Sequence, residues 1–270
     1  MAALFTCNNV VEELGQLSMQ LKEALGLRQG ELVSFIGAGG KTTTMFRLAH
    51  ELREENSKVL VTTTTKIFKP SKPHVDRLFL VEDIESLDQA CAEISPPVVI
   101  GAGTGVDSEG KLLGLPPAWL DRLNQPRTFH AILVEADGAA SRLFKVPNET
   151  EPVIPVSCEL TIWLIAIGVL NRPLDAESIH RPDRALALLH CTEKTIMTED
   201  LIVQLVDHPA GCWKGIPPTS RKVAVINQAD TPEDIERAMA LGRKLLDHGA
   251  ERVAITSYSS DAPVKELLRH

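Results

Sequence analysis

The run Leu32-Val33-Ser34-Phe35-Ile36 leads into Gly37-Ala38-Gly39-Gly40 and then into Lys41-Thr42-Thr43-Thr44. No other segment constrains the fold as tightly. The short, mainly apolar run reads as a buried strand. The glycines allow a tight turn in which the backbone can approach a ligand or another strand without Cβ clashes. A helical pattern then runs from Lys41 to about Glu54. In a strand, glycine turn and helix placed in direct succession, backbone N–H groups converge on one point and the helix adds its positive end. Such a layout favours an anion.

The residues that follow narrow the anion to a nucleotide. Lys41 can reach outer phosphates as a point charge, and the Thr42 hydroxyl can ligate Mg²⁺. Gly37, Ala38, Gly39, Gly40, Lys41, Thr42 and Thr43 are therefore the expected binding residues for the phosphates of ATP or GTP. The longer pattern G-x-x-x-x-G-K-[ST] is not met, because Phe35 stands where its first glycine would fall. The shorter G-x-x-G-K-T-T is similar to the loop of the Mur ligases.

A metal needs a carboxylate. The apolar strand Ala131 to Glu135 delivers Glu135 and Asp137 to its C-terminal end, where open α/β sheets hold ligands. Positions i and i+2 of a strand share a face, so both side chains are expected at the metal and in catalysis with Lys41. Thr62-Thr63-Thr64-Thr65-Lys66 closes the strand after the loop, and Thr64 and Lys66 are expected to contact the nucleotide. Threonine also favours strands for packing reasons alone. Asn227-Gln228-Ala229-Asp230 resembles the N-K-x-D element by which GTPases read guanine. Asp230 could accept from the base, or it could belong to the cap of the helix that begins Thr231-Pro232-Glu233-Asp234. Both readings stay open, with Asn227 and Asp230 as candidate base contacts.

Strand-like and helix-like segments alternate along the chain, and many of the strands are apolar throughout. This predicts an α/β fold of the P-loop NTPase type, a mainly parallel sheet with helices on both faces. The 270 residues suit one domain, with an irregular insertion at about 138–182. Further expectations are a helix over Val10 to Leu25, a flexible Gly101 to Pro117 loop and a closing helix over Ala262 to Leu268. The formal net charge of −8 argues against nucleic acid or an anionic membrane as main partner. The longest apolar run, Leu160 to Leu170, is too short to span a bilayer. The N-terminus carries no secretory pattern, and the five cysteines form no C-x-x-C. A reduced, cytoplasmic protein is expected.

Taken in order, the glycine loop, the threonine strand, Val134-Glu135-Ala136-Asp137-Gly138-Ala139, Glu151-Pro152-Val153-Ile154-Pro155, His180-Arg181-Pro182 and Asn227 to Asp230 look like the YqeC family. That resemblance implies an accessory role in making or inserting the selenium-containing cofactor of molybdenum hydroxylases. The implied partners are a molybdenum hydroxylase or its molybdopterin cofactor, beside the nucleoside triphosphate. It also singles out His180 and Arg181 as site elements. Family members usually carry Lys where this chain has Gln228. The alternative readings are a Mur-like ATP-dependent transferase or ligase acting on a small acid, and a nucleotide-binding module without turnover.

Overall fold

The computed structural model describes residues 19–260 and 262–270. In chain order the elements are α1 (Leu21–Leu25), β1 (Glu31–Gly37), α2 (Lys41–Glu54), β2 (Lys58–Thr63), β3 (Lys66–Phe68), β4 (Arg77–Leu80), α3 (Ile84–Ala92), β5 (Val98–Gly103), β6 (Gly105–Val106), β7 (Lys111–Leu113), α4 (Pro117–Asn124), β8 (Ala131–Glu135), β9 (Phe144–Lys145), β10 (Leu160–Ala166), β11 (Ile179–His180), α5 (Pro182–Leu189), α6 (Glu199–Asp207), β12 (Arg221–Asn227), α7 (Pro232–Asp247), β13 (Arg252–Thr256) and β14 (Val264–Arg269). Of the expected helix from Val10 to Leu25, the part up to residue 18 lies outside the described residues. The remainder holds α1.

Nine strands form one sheet in the order β14-β13-β12-β10-β1-β8-β2-β5-β4. All pairs are parallel except β13 with β14. The most apolar segments take the middle. Every residue of β1, β8 and β10 is buried, because a parallel strand covered on both faces has no solvent side. Val33 and Phe35 face Met45, Leu48 and Leu52 of α2. Leu32 joins a cluster with Leu87 of α3 and Leu120 of α4, and Ile36 joins one with Leu241 and Leu245 of α7. Helices therefore cover both faces, as expected. Full burial of each Leu or Met of α2 contributes about 1.5–3 kcal/mol, which holds the helix that starts at Lys41 in place.

Three expectations are corrected. The segment Val264–Arg269 is an antiparallel edge strand, not a helix. Six residues are too few for a helix to be stable alone, and the free edge of β13 offers backbone partners. Gly101 to Gly103 is not part of a flexible loop. It continues β5, and a Cβ at Gly103 would strike Leu112 and the Leu113 carbonyl of the small sheet β3-β7-β6. Finally, the stretch 138–182 is not wholly irregular, since it contains β10, which lies between β1 and β12. Its remainder carries β9 and β11, which pair with each other in parallel.

Candidate functional site

The glycine loop leaves the C-terminal end of β1 with positive φ at Gly37 (90°), Gly39 (77°) and Gly40 (122°). These angles favour glycine, and space demands it as well. A Cβ at Gly39 would collide with the Ala166 backbone, and one at Gly40 with the Asn227 amide. Three loop amides are already engaged. Gly37 N donates to Asp137 Oδ2 at 3.0 Å, Ala38 N to the Leu164 carbonyl at 2.9 Å and Gly39 N to the Arg142 carbonyl at 3.0 Å. The amides of Gly40, Lys41, Thr42 and Thr43 have no hydrogen-bond partner among the described residues. They are the orphan donors of the first turn of α2. No side chain caps this helix. Its N-terminus therefore presents bare N–H groups beside a lysine, the arrangement that suits a phosphate oxygen.

The two carboxylates separate into distinct positions. Glu135 ends β8, the neighbour of β1, and its Oε2 accepts a hydrogen bond from Thr42 Oγ1 at 2.6 Å. Asp137 lies beyond the strand end, with Oδ2 on Gly37 N and 3.1 Å from Lys145 Nζ. Lys41 sits between them. Its ammonium donates to the Gly37 carbonyl at 2.7 Å and lies 3.2 Å from Asp137 and 3.7 Å from Glu135. The shared face expected of positions 135 and 137 is thus present at Lys41, while only Glu135 reaches Thr42. Asp137 Oδ1 is buried and accepts no hydrogen bond of good geometry. A buried oxygen left with only a nearby charge is a site where a further cation or donor would be stabilised. The Thr42 hydroxyl and the Glu135 carboxylate are hard donors of the type Mg²⁺ takes, so these residues fit the ion.

Lys145 had no signal in the sequence beyond a single lysine in the apolar run Leu143 to Val146, yet it is nearly fully buried. It bridges Asp137 and Glu151, at 3.1 and 2.9 Å, and donates to the Gly138 carbonyl. Arg181 completes the chain at 2.6 Å from Glu151. The pairing of β9 with β11 places His180 opposite Lys145. The motifs at Glu151 and at His180-Arg181, far apart in sequence, are thereby joined to Asp137. Lys41, Lys145 and Arg181 face Glu135, Asp137 and Glu151 in one network with no net charge.

The electrostatics follow from this packing. Burial opposes the Lys41 ammonium, but Asp137 and Glu135 outweigh it and hold its pKa above the ordinary value. Burial raises Glu135 against the pull of Lys41 and Thr42. Lys145 is lowered by burial despite Asp137 and Glu151. Burial would raise Glu151, but Lys145 and Arg181 hold it below the usual carboxylate range.

The threonine strand does other work. Thr62 Oγ1 donates to the Ala102 carbonyl at 2.8 Å, Thr63 Oγ1 to the Glu135 carbonyl at 2.7 Å and Thr64 Oγ1 to the Val153 carbonyl at 2.6 Å. These bonds tie the end of β2 to β5, β8 and the Glu151 segment. Lys66 opens β3 in the small sheet and pairs with Asp107 at 3.0 Å. Asn227, at the end of β12, donates to the Gly39 carbonyl at 2.8 Å and accepts from Thr256 Oγ1 at 3.0 Å.

A family model described as YqeC protein matches residues 33–183, which include the glycine loop, both strand-end carboxylates, Lys145, Glu151 and Arg181. A protein of Escherichia coli K12 described as uncharacterized protein YqeC is 32% identical over 223 residues, 82% of this chain and 85% of that protein. The chain belongs to the YqeC family. The whole charged network of this YqeC-family protein therefore falls inside the segment the family shares. Asn227 and Asp230 fall beyond residue 183. Among the described residues, no helix is long and apolar enough to cross a membrane. Cys91, Cys158 and Cys212 are buried thiols, and burial raises the pKa of each. Cys7 lies outside the described residues.

Proposed function

We propose that this YqeC-family protein binds a nucleoside triphosphate with Mg²⁺ at Gly40 to Thr43 and hydrolyses it. The reading rests on one observation above the others: Thr42 Oγ1 and the Glu135 carboxylate meet at 2.6 Å beside the uncapped start of α2, with the Lys41 ammonium alongside. Lys41 and the four orphan amides would hold the phosphates. Thr42 and Glu135 would hold the metal, which would neutralise charge on the transferring phosphoryl group.

Asp137 is a positioning residue in this reading. It fixes the Gly37 amide and both lysines. An incoming phosphate would compete with Asp137 and Glu135 for Lys41, and a bound Mg²⁺ would supply the positive charge that the carboxylates then lack. The same exchange reaches Glu151 and Arg181 through Lys145. Nucleotide occupancy would thus be felt at the β9–β11 face, where a client could respond. The resemblance to selenium-dependent molybdenum hydroxylase accessory proteins supplies the pathway: the client is a molybdenum hydroxylase or its molybdopterin cofactor.

Calorimetric titration with non-hydrolysable ATP and GTP analogues, with and without Mg²⁺, tests the site. Binding that needs both Mg²⁺ and the Thr42 hydroxyl is expected. Nucleotide binding left intact by Thr42→Ala, or no binding of either nucleotide, would overturn the assignment.

A further inference from the structure

The sequence left Asp230 between two roles, and the helix that follows it decides against one. The cap of α7 is Thr231, whose hydroxyl accepts from Asp234 N at 3.1 Å. Asp230 is therefore not used by the helix. It is exposed, at the C-terminal edge of the sheet where β12 ends.

Two serines of the next strand end hold its carboxylate still. Ser257 Oγ donates to Asp230 Oδ1, and Ser259 Oγ donates to the same oxygen at 3.1 Å. Oδ2 has no hydrogen-bond partner among the described residues. The loop that carries the serines is itself anchored to α2. Tyr258 donates its hydroxyl proton to Thr44 Oγ1 at 2.7 Å, and the Arg47 guanidinium lies 4.8 Å from the Tyr258 ring centre. Thr256 bonds to Asn227, and Asn227 bonds to the Gly39 carbonyl. One line of hydrogen bonds thus connects the glycine loop with the loop that orients Asp230. With β10 between β1 and β12, the two strand ends stand roughly 10 Å apart. A ribose and an α-phosphate would bridge that gap.

We infer that Asp230 reads guanine, so that the nucleotide of the proposed phosphate site is GTP and not ATP. The inference rests on that phosphate site. Guanine presents adjacent N1–H and N2–H donors, which match the two oxygens of a carboxylate. Adenine presents one N6–H donor next to an N1 acceptor, and the acceptor lone pair would face the carboxylate. A site built to hydrogen-bond a donor pair rejects the analogue that lacks it. Gln228, exposed and at φ 63°, stands between Asn227 and Asp230 and need not contact the base edge.

The test titrates the full chain with non-hydrolysable GTP, ATP and xanthosine triphosphate analogues in Mg²⁺. The GTP analogue should bind at least about 100-fold more tightly than the ATP analogue, since charge-assisted hydrogen bonds are lost with adenine. Asp230→Asn should reverse the preference between guanine and xanthine. The serine hydroxyls keep an oxygen at Oδ1, so the new NH₂ takes the place of Oδ2 and faces the xanthine C2 carbonyl. Ser257→Ala should weaken GTP alone. An unchanged unfolding midpoint would show that the exposed Asp230→Asn change leaves the fold intact. Equal or tighter ATP binding, or a preference unmoved by Asp230→Asn, would overturn the guanine inference and leave the phosphate site standing. Binding of none of the three would overturn both.

Discussion

Lys41 is surrounded by more charge than a phosphate ligand alone requires. Its ammonium compensates two buried carboxylates, and Asp137 in turn compensates Lys145. From sequence, Lys41→Ala is expected to abolish nucleotide binding and spare the fold, because the lysine serves phosphates and not the core. The structure changes the second half of that expectation. Removing the ammonium leaves Glu135 and Asp137 facing each other without it, and breaking a buried pair costs about 3–5 kcal/mol. Lys41→Ala should therefore lose nucleotide binding and also unfold at much lower denaturant, whereas Thr42→Ala should lose Mg²⁺-dependent binding with a smaller fall in the midpoint, about 1–3 kcal/mol for the hydrogen bond that buried Glu135 loses. Chemical denaturation of the two variants side by side separates the roles. If Lys41→Ala matched wild type in stability, the neutral buried network described here would be wrong.

At the scale of elements, the site is made where strand ends are tied together. Asn227 spends both ends of its amide on the Gly39 carbonyl and Thr256, and it is buried. Truncating it to alanine strands those partners, at about 1–3 kcal/mol each time a buried group goes unsatisfied. It also frees the glycine loop from β12. Asn227→Ala should lower both the unfolding midpoint and nucleotide affinity. Thr231, by contrast, caps α7 on the surface, and Thr231→Ala should remove about 1 kcal/mol of stability and leave affinity unchanged. A denaturation curve and a binding isotherm for each variant check both statements. A loss of affinity in Thr231→Ala equal to that in Asn227→Ala would mean that the brace is not specific.

Across the whole molecule, the sheet brings β9 and β11 against the end of β8 and so buries a titratable face. His180 is pushed down to about 4 from an ordinary 6.5 by burial, with Arg181 and Lys145 adding like charge. The unfolded chain takes up this proton as pH falls through 6.5, and the folded chain does not until about 4. Stability should therefore decline across that window as pH falls. His180→Gln should flatten that part of the pH–stability curve, measured by urea unfolding at several pH values. A steeper decline in the variant would contradict the half-buried, neutral imidazole. Nucleotide should act on the whole fold as well. At a hundred times its dissociation constant, a ligand of the native state adds about 2.7 kcal/mol, which a thermal melt with Mg²⁺ and GTP analogue would show as a raised Tm.

The glycine loop, its helix, the strand bearing Glu135 and the parallel sheet were all legible in the sequence. Each depends on local order: apolar runs of strand length, glycines at the turn and a helical pattern directly after it. Leu32 to Ile36 can be read as a buried strand without knowing its neighbours. Local order could not say what flanks β1. Parallel strands are joined by crossovers, so β8 and β10 became its neighbours only through tertiary packing. The same holds for the site. Lys145 is a lone lysine in an apolar run until β9 lies beside the end of β8, and burial then gives it Asp137 and Glu151. Thr64 and Lys66 look alike as polar residues after β2, yet one bonds to Val153 and the other pairs with Asp107. Val264 to Arg269 has helix and strand readings of similar local merit, and the open edge of β13 chose the strand. Local sequence determined the strand, glycine turn and helix of the candidate site and most strands of the parallel sheet. Tertiary structure decided which charges meet, because ion pairs and hydrogen bonds act over a few ångströms and the residues that make them lie as much as 229 positions apart along the chain.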